Sequence, residues 1–274
     1  MQPTLRLIHL PGRVRLEFAE QGSRTGTPVI ALHGVTDSWH SFGPVLPHLG
    51  ADLHVLALSQ RGHGNSDKPA GGYAPADFAA DIVAFMDAMA IERAVLVGHS
   101  MGSINAMRCA IDHPSRVAGL VLAGTMPWFG RLPELQAFHR EQIVPLADPV
   151  PEAFAREFQQ GTLARPIAPA LLDHFVAESL KVPARVWRAA FAGFMGDDFT
   201  PRLPEISVPT LVVWGRHDAF CPAAEQQALL AQIRGARLVE YAEAGHALHW
   251  EEPQRFARDL NLFVDSVAAT AAAA

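Results

Sequence analysis

The sequence has little of what marks an extracellular, membrane or nucleic-acid-binding protein. Two cysteines among 274 residues are too few for a disulfide framework and lack metal-ligand spacing. No run approaches the roughly 18 apolar residues that span a bilayer, and the opening residues lack the apolar stretch of a signal peptide. The net charge of −6 leaves no basic excess for nucleic acid or anionic lipid. These absences predict a cytoplasmic chain with no membrane span and no nucleic-acid partner.

Motifs that hold cofactors are also lacking. The sequence contains no glycine-rich phosphate loop, no dinucleotide fingerprint and no cluster of residues at metal-ligand spacing. We therefore expect no cofactor and no metal. Apolar material, in contrast, is plentiful: 49% of the residues are hydrophobic and 18% are charged, which is enough for a sizeable core.

Short apolar runs alternate with helical patterns through most of the chain. The runs Leu5–Leu10 and Val14–Ala19 flank Pro11-Gly12 and indicate an opening hairpin. The alternation that follows is typical of an α/β protein with a mostly parallel sheet and helices on both faces. Further strands are predicted at Val29–Leu32, Leu53–Leu58, Ala94–Val97, Val117–Ala123, Thr210–Trp214 and Arg237–Tyr241. Helices are predicted at Asp77–Ala90, Met101–Asp112, Pro222–Ile233 and Pro253–Val267, with a frayed alanine-rich end after Val267.

One long stretch interrupts the alternation. Residues 126–199 contain no predicted strand, and prolines separate their short helical patterns. Because a structureless loop of this length is uncommon, we predict a helical lid, or cap, inserted into a core formed by residues 1–125 and 200–274. The aromatic residues of this insertion either form its own small core or line a pocket. The pocket candidates are Trp128, Phe129, Trp187 and Phe194, together with Phe220 beyond the insertion.

The strongest chemical signal is Gly98-His99-Ser100-Met101-Gly102, which lies between a predicted strand and a predicted helix. The chain must turn sharply there, and the two glycines let the backbone approach closely. Such a turn raises the Ser100 hydroxyl above the end of the sheet and predicts a nucleophile. His99 is a candidate substrate contact, with packing as its alternative role. Since serine alone is a poor nucleophile, it needs a base that a third group orients.

Two downstream segments supply the base and its partner. Asp218 follows one predicted strand and His246 follows the next, so both stand at the edge where open α/β sheets bind ligands. Glu225 is an alternative acid, and His249 is an alternative base. Asp218 has the further alternative of capping the helix that follows it.

Together these motifs resemble the α/β-hydrolase superfamily over nearly the whole chain. The segments that carry the resemblance are His33-Gly34, Arg61–Ser66, Gly98–Gly102, Gly215–Asp218 and Gly245–Pro253. The resemblance implies an α/β-hydrolase fold in which Asp218 is the triad acid and His246 the base. It also implies an oxyanion hole made by the backbone N–H groups of Val35 and Met101. The chain departs from the family at Ser59-Gln60, where relatives often carry Asp before Arg-Gly-His-Gly.

The resemblance leaves the reaction open. Ser100 argues against haloalkane dehalogenases and epoxide hydrolases, which attack with a carboxylate. Carbon–carbon hydrolases of aromatic ring cleavage use the same triad, but they typically have Trp where this chain has Ala247 and Asn where it has Ser41. We therefore expect hydrolysis of a carboxylic ester, or lactone, of a small and largely apolar substrate.

Three alternatives stay open. Two are enzymatic, namely carbon–carbon bond hydrolysis and cofactor-free perhydrolysis. The third, from another class, is a non-catalytic ligand-binding member of the fold, although such proteins generally lose a triad residue. A homo-oligomeric state is also left open.

Overall fold

The computed structural model describes residues 2–272, and its framework is one eight-stranded sheet. The strands, β1 to β8 in chain order, are Thr4–His9, Arg15–Gly22, Thr27–Leu32, Leu53–Ser59, Ala94–His99, Val117–Ala123, Thr210–Gly215 and Arg237–Tyr241. Their order across the sheet is β1-β2-β4-β3-β5-β6-β7-β8. The β1–β2 and β2–β4 pairs are antiparallel, and every later pair is parallel. The mostly parallel sheet that the sequence predicts is confirmed.

Helices pack on both faces of this sheet. Within the described residues the helices α1 to α9 are Pro75–Ala88, Met101–Asp112, Pro133–Phe138, Glu152–Gly161, Pro169–Leu180, Ala184–Gly196, Ala223–Gln232, Leu248–Glu251 and Pro253–Ala272. In β4, Leu56 and Leu58 join the hydrophobic cluster of one face, whereas Val55 and Ala57 join that of the other. Successive side chains of a strand point to opposite faces. A strand covered on both faces is therefore a continuous apolar run, as the sequence shows.

The prediction for the C-terminal alanines is wrong up to Ala272, and its last two residues, Ala273 and Ala274, lie outside the described residues. The sequence suggests a frayed end after Val267, but α9 continues to Ala272. Phe256, Leu260 and Phe263 anchor this helix in the core. Alanine has the highest intrinsic helix propensity, so the anchored helix extends through the alanines. No helix between residues 2 and 272 combines the length and apolar character needed to cross a membrane.

Between β6 and β7 the chain leaves the sheet. The described residues of this segment form α3 to α6 with shorter helical turns, and none of them forms a strand. Part of the segment has its own core: Trp187 is fully buried, with its ring centre 5.6 Å from that of Phe154 and 5.3 Å from that of Phe158. Other side chains of the segment reach the end of β5, where Ser100 lies. We call residues 126–199 the cap segment.

Candidate active site

Ser100 occupies a strained turn between β5 and α2. Its φ of 52° lies in the left-handed region, which costs a residue with a side chain about 1–2 kcal/mol. A Cβ atom on Gly98 would stand 2.4 Å from Cα of Ser103, and one on Gly102 would stand 2.0 Å from the carbonyl oxygen of Leu32. Only glycine fits at both positions, which accounts for the spacing of the motif. The turn brings Ser100 to the wall of a cavity.

Asp218 and His246 form a buried pair beside the same cavity. Nδ1 of His246 lies 2.9 Å from Oδ2 of Asp218. The other carboxylate oxygen, Oδ1, accepts the backbone N–H groups of Phe220 at 2.8 Å and Cys221 at 2.9 Å. A carboxylate at Nδ1 favours the tautomer with its proton on that nitrogen, which leaves Nε2 able to accept a proton. Because His246 and Ser100 both line the cavity, the pair can present this nitrogen to the serine side.

The alternative acid and base have other partners. The Glu225 carboxylate lies 3.4 Å from the guanidinium of Arg131. Nε2 of His249 lies 2.9 Å from the Ser41 hydroxyl, and burial lowers the pKa of this histidine to about 3. Neither residue lines the cavity with Ser100. The geometry therefore favours Asp218 and His246 for the two roles.

Two backbone N–H groups are available near Ser100. Val35 follows β3 and lines the cavity, and Met101 is the first residue of α2. Within residues 2–272 neither amide donates a hydrogen bond to another protein group. Stabilising the oxyanion of a tetrahedral intermediate requires donors of this kind.

The cavity is lined almost entirely by apolar side chains and contains about 420 Å³ of space between atoms, part of it open to solvent. Among the residues that line it, Ser100, Thr162 and His246 have polar side chains. No lysine, arginine, aspartate or glutamate belongs to the lining in the described part of the chain. The apolar lining residues are Val35, Phe129, Leu135, Phe138, Phe158, Phe191, Phe194, Met195 and Phe220.

The six residues proposed from the sequence as substrate contacts divide evenly. Phe129, Phe194 and Phe220 line the cavity, and the rings of Phe129 and Phe194 meet edge to face at 5.4 Å. His99, Trp128 and Trp187 do not line it. His99 is buried behind the site with Nε2 3.1 Å from the carbonyl oxygen of His246, and burial holds its pKa well below the usual range.

The tryptophans of the cap segment serve its packing. Nε1 of Trp128 donates to the carbonyl oxygen of Met195 at 2.8 Å. Trp187 is buried among phenylalanine rings and does not line the cavity. Phe138, Phe158 and Phe191 also line the site, although they are not among the contacts predicted from the sequence. The sequence indicates only that residues 126–199 are rich in aromatic residues, and this composition does not predict which rings face the cavity.

Comparison with known proteins identifies the family of this chain. The family model described as alpha/beta hydrolase fold matches residues 27–253. The chain belongs to the α/β-hydrolase family. A relative within it, the 2-hydroxy-6-oxononadienedioate/2-hydroxy-6-oxononatrienedioate hydrolase of Paraburkholderia xenovorans (strain LB400), is 30% identical over 93% of this chain and 92% of that protein.

Two further members of the α/β-hydrolase family illustrate how varied its activities are. A non-heme chloroperoxidase from Streptomyces lividans is 29% identical over 91% of this chain and 95% of that protein. The solved structure of Est816, described as an N-acyl homoserine lactone degrading enzyme, has a TM-score of 0.79 and 30% identity. That match covers 94% of this chain and 100% of the other.

Proposed function

We propose that this α/β hydrolase cleaves a carboxylic ester or lactone of a small, largely apolar substrate through an acyl-enzyme on Ser100. The observation that carries the proposal is the position of Ser100. Its strained turn holds it at the wall of an apolar cavity that His246 also lines, and Asp218 fixes the His246 ring. The chain keeps all three residues, which argues against a non-catalytic ligand-binding protein.

The arrangement suits acyl transfer. Nε2 of His246 accepts the proton of Ser100 while Oγ attacks the carbonyl carbon, and the Asp218 carboxylate stabilises the imidazolium that forms. The N–H groups of Val35 and Met101 bind the developing oxyanion. The imidazolium then protonates the leaving alkoxide. Water then attacks the acyl carbon with His246 again as base, the bond from that carbon to Oγ of Ser100 breaks, and the imidazolium returns its proton to Oγ as the carboxylic acid leaves.

The apolar lining supports an uncharged substrate. The relative from Paraburkholderia xenovorans is named for a dioate, a substrate with two carboxylates. Burying a carboxylate without a cationic or hydrogen-bonding partner costs several kcal/mol, and no lysine or arginine lines this cavity in the described residues. A neutral ester or lactone avoids that cost. The lactone-degrading activity given for Est816 is in keeping with this substrate class.

Carbon–carbon hydrolysis is the second candidate, and the relative named for it supports it. The contacts of Ser41 and Ala247 favour ester hydrolysis over carbon–carbon hydrolysis. The Ser41 hydroxyl accepts Nε1–H of Trp250 at 3.0 Å and lies 2.9 Å from Nε2 of His249, so it is engaged outside the cavity. Ala247 packs with Phe175 and Trp250. Neither position offers a group to hold the leaving carbanion of a ring-cleavage product.

Perhydrolysis is a side activity that the same acyl-enzyme permits. Hydrogen peroxide would replace water as the attacking species and give a peracid, a reaction that needs no cofactor. The chloroperoxidase among the relatives supports this alternative.

We also propose that residues 126–199 act as a cap on a core of residues 1–125 and 200–274. In support, the cap segment contributes eight of the twelve residues that line the cavity. A cytoplasmic location stays a prediction, and a homo-oligomer stays open.

Covalent labelling tests the assignment. The purified protein, incubated with a fluorophosphonate, should lose p-nitrophenyl butyrate hydrolysis in step with incorporation of one phosphonate, found on the peptide that contains Ser100. Prior addition of the ester should slow the labelling. If the protein hydrolyses no activated ester and takes up no phosphonate, or is labelled elsewhere, the proposed function is wrong.

A further inference from the structure

Buried polar contacts join the cap segment to the loop that follows β3. Nε2 of Gln159, on α4, donates to Oδ1 of Asp37 at 2.9 Å and to the Ser179 hydroxyl at 2.7 Å. The hydroxyl of Ser179, on α5, lies 3.3 Å from Oγ1 of Thr36. All four side chains are buried. We call Thr36, Asp37, Gln159 and Ser179 the cap latch.

The latch holds a strained turn. Thr36 has a φ of 71°, in the left-handed region that a β-branched residue rarely adopts. The backbone N–H of Asp37 donates to the carbonyl oxygen of Gly34 at 3.3 Å and closes the turn. Strain of this kind persists where the surrounding structure holds it in place. Val35, whose N–H is the proposed oxyanion donor, lies inside this turn.

We propose that Asp37 is a positioning residue that couples the seating of the cap to the oxyanion hole. Through Gln159 it ties the turn that carries Val35 to the cap segment. The Val35 N–H therefore reaches its working position when the cap is packed down. This inference rests on the proposed function, because it assigns a role to a part of the same site.

The charge of Asp37 gives the coupling a pH dependence. Burial raises the pKa of this carboxyl to about 7. The facing titratable groups are His246 and Glu178, with His249 beyond Ser41 and His99 across Gly34. The ionised carboxylate accepts Gln159 on Oδ1 and the Ser41 hydroxyl at 3.3 Å on Oδ2.

Protonation removes the negative charge and occupies one of those two acceptor oxygens. The hydrogen bond from Gln159 is therefore stronger to the ionised carboxylate than to the protonated carboxyl, although burial as a whole disfavours the charge and raises the pKa. The ionised form of Asp37 is therefore the one that holds the turn more firmly through Gln159.

Kinetics of matched variants test the coupling. Gln159→Leu removes the latch donor, and Gln160→Leu changes the exposed neighbour on the same helix. We expect Gln159→Leu to lower kcat for p-nitrophenyl butyrate about 10- to 100-fold with little change in KM, since it disturbs one oxyanion donor. Gln160→Leu should stay within about twofold of the parent.

Asp37→Asn supplies a readout that a merely structural role would not move. The asparagine amide has nearly the shape of a protonated carboxyl, and it stays uncharged at every pH. The ratio of kcat between parent and Asp37→Asn should be large at about pH 8.5 and should approach one at about pH 5.5. A parent that hydrolyses the ester while Gln159→Leu and Asp37→Asn match its kcat at every pH would overturn the inference.

Hydrogen exchange separates this inference from the proposed function. If the parent hydrolyses no ester and takes up no phosphonate, the proposed function fails first. The latch is then judged by amide exchange in a peptide spanning residues 33–42. It should exchange faster in Gln159→Leu than in Gln160→Leu, and equal rates would show that the latch does not hold the turn.

Discussion

Asp218 holds His246 with one carboxylate oxygen, at 2.9 Å, while its other oxygen accepts two backbone N–H groups. The backbone thereby fixes the carboxylate, and the carboxylate fixes the ring. The loop after β7 thus contributes backbone N–H donors to the site, in addition to the Phe220 ring that lines the cavity. These contacts account for the position of Asp218, the proposed acid, in the loop after β7.

Asp218→Asn should lower kcat by about 10⁴, because the amide favours the wrong tautomer and cannot stabilise the imidazolium. Glu225→Gln is the matched control and should cost less than about tenfold, since Glu225 faces Arg131. Both variants are to be assayed on the same activated ester. Should Glu225→Gln be the inactive variant and Asp218→Asn the active one, the acid has been misassigned.

Ser100→Ala and Ser100→Gly should each lower kcat by about four to six orders of magnitude. They should differ in stability. At a φ of 52° an alanine keeps the backbone strain and a glycine relieves it, so the glycine variant should be more stable than the alanine variant by about 1 kcal/mol. Urea unfolding measures this difference. Equal stabilities would mean that the turn is not strained in solution.

Because the cavity is apolar, kcat/KM should rise as the acyl chain of the ester becomes longer. Each buried methylene contributes about 0.8 kcal/mol, so two added carbons should raise kcat/KM roughly tenfold until the cavity is full. Phe191→Ala enlarges the cavity and should move the optimum to a longer chain. Phe154→Ala, whose ring packs on Trp187 outside the lining, is the control and should leave the optimum in place. A flat response to chain length combined with a strong preference for anionic esters would contradict an apolar site.

Asp37→Asn should make the protein more stable at alkaline pH. The Asp37 pKa is raised from 3.8 to about 7 in the folded protein, so the folded state binds more protons than the unfolded state between these values. Asp37 therefore lowers stability as the pH rises from about 4 to about 7. Asp37→Asn has no carboxylate to ionise, so its free energy of unfolding at about pH 8 should exceed that of the parent by on the order of a few kcal/mol. Thermal unfolding at several pH values checks the sign. A variant that is less stable at alkaline pH would show that Asp37 is a net stabilising charge.

Short carboxylic esters should be hydrolysed much faster than a vinylogous 1,5-diketone from ring cleavage. An ester leaves as an alkoxide that His246 can protonate directly, whereas carbon–carbon cleavage needs further groups to stabilise a carbanion. Side-by-side kcat/KM values on p-nitrophenyl esters and one such diketone decide between them. If the diketone is preferred by about tenfold or more, the carbon–carbon hydrolase becomes the better assignment.

The sequence predicts the central strands because they are apolar runs between turn signals, and it predicts the main helices because apolar residues recur at helical spacing. The turn at Ser100 can also be predicted from the sequence, because steric contacts at Gly98 and Gly102 allow only glycine. The sequence does not predict which side chains of the cap segment face the cavity. Phe154 and Phe158 are one helical turn apart, yet only Phe158 lines the cavity. Which ring points inward depends on how the cap helices pack together, a tertiary property.

The cap latch shows the same limit. Asp37, Gln159 and Ser179 are far apart in sequence, and each residue is common in turns or on helix surfaces. A buried hydrogen bond between distant polar side chains leaves no periodic signal in a sequence. The tail after Val267 illustrates the opposite error, in which composition suggested fraying and the anchored helix simply continued.

The pairing of β6 with β7 has a consequence for how the molecule folds. Leu120 pairs with Thr210, so the sheet joins segments about 90 residues apart, and closing so long a loop is entropically costly and slow. Ser100 lies before this closure, and Asp218 and His246 lie after it. Under the proposed mechanism, a chain emerging from the ribosome completes its serine turn well before it possesses a base. The hydroxyl of Ser100 thus stays chemically inert until the last part of the sheet has formed.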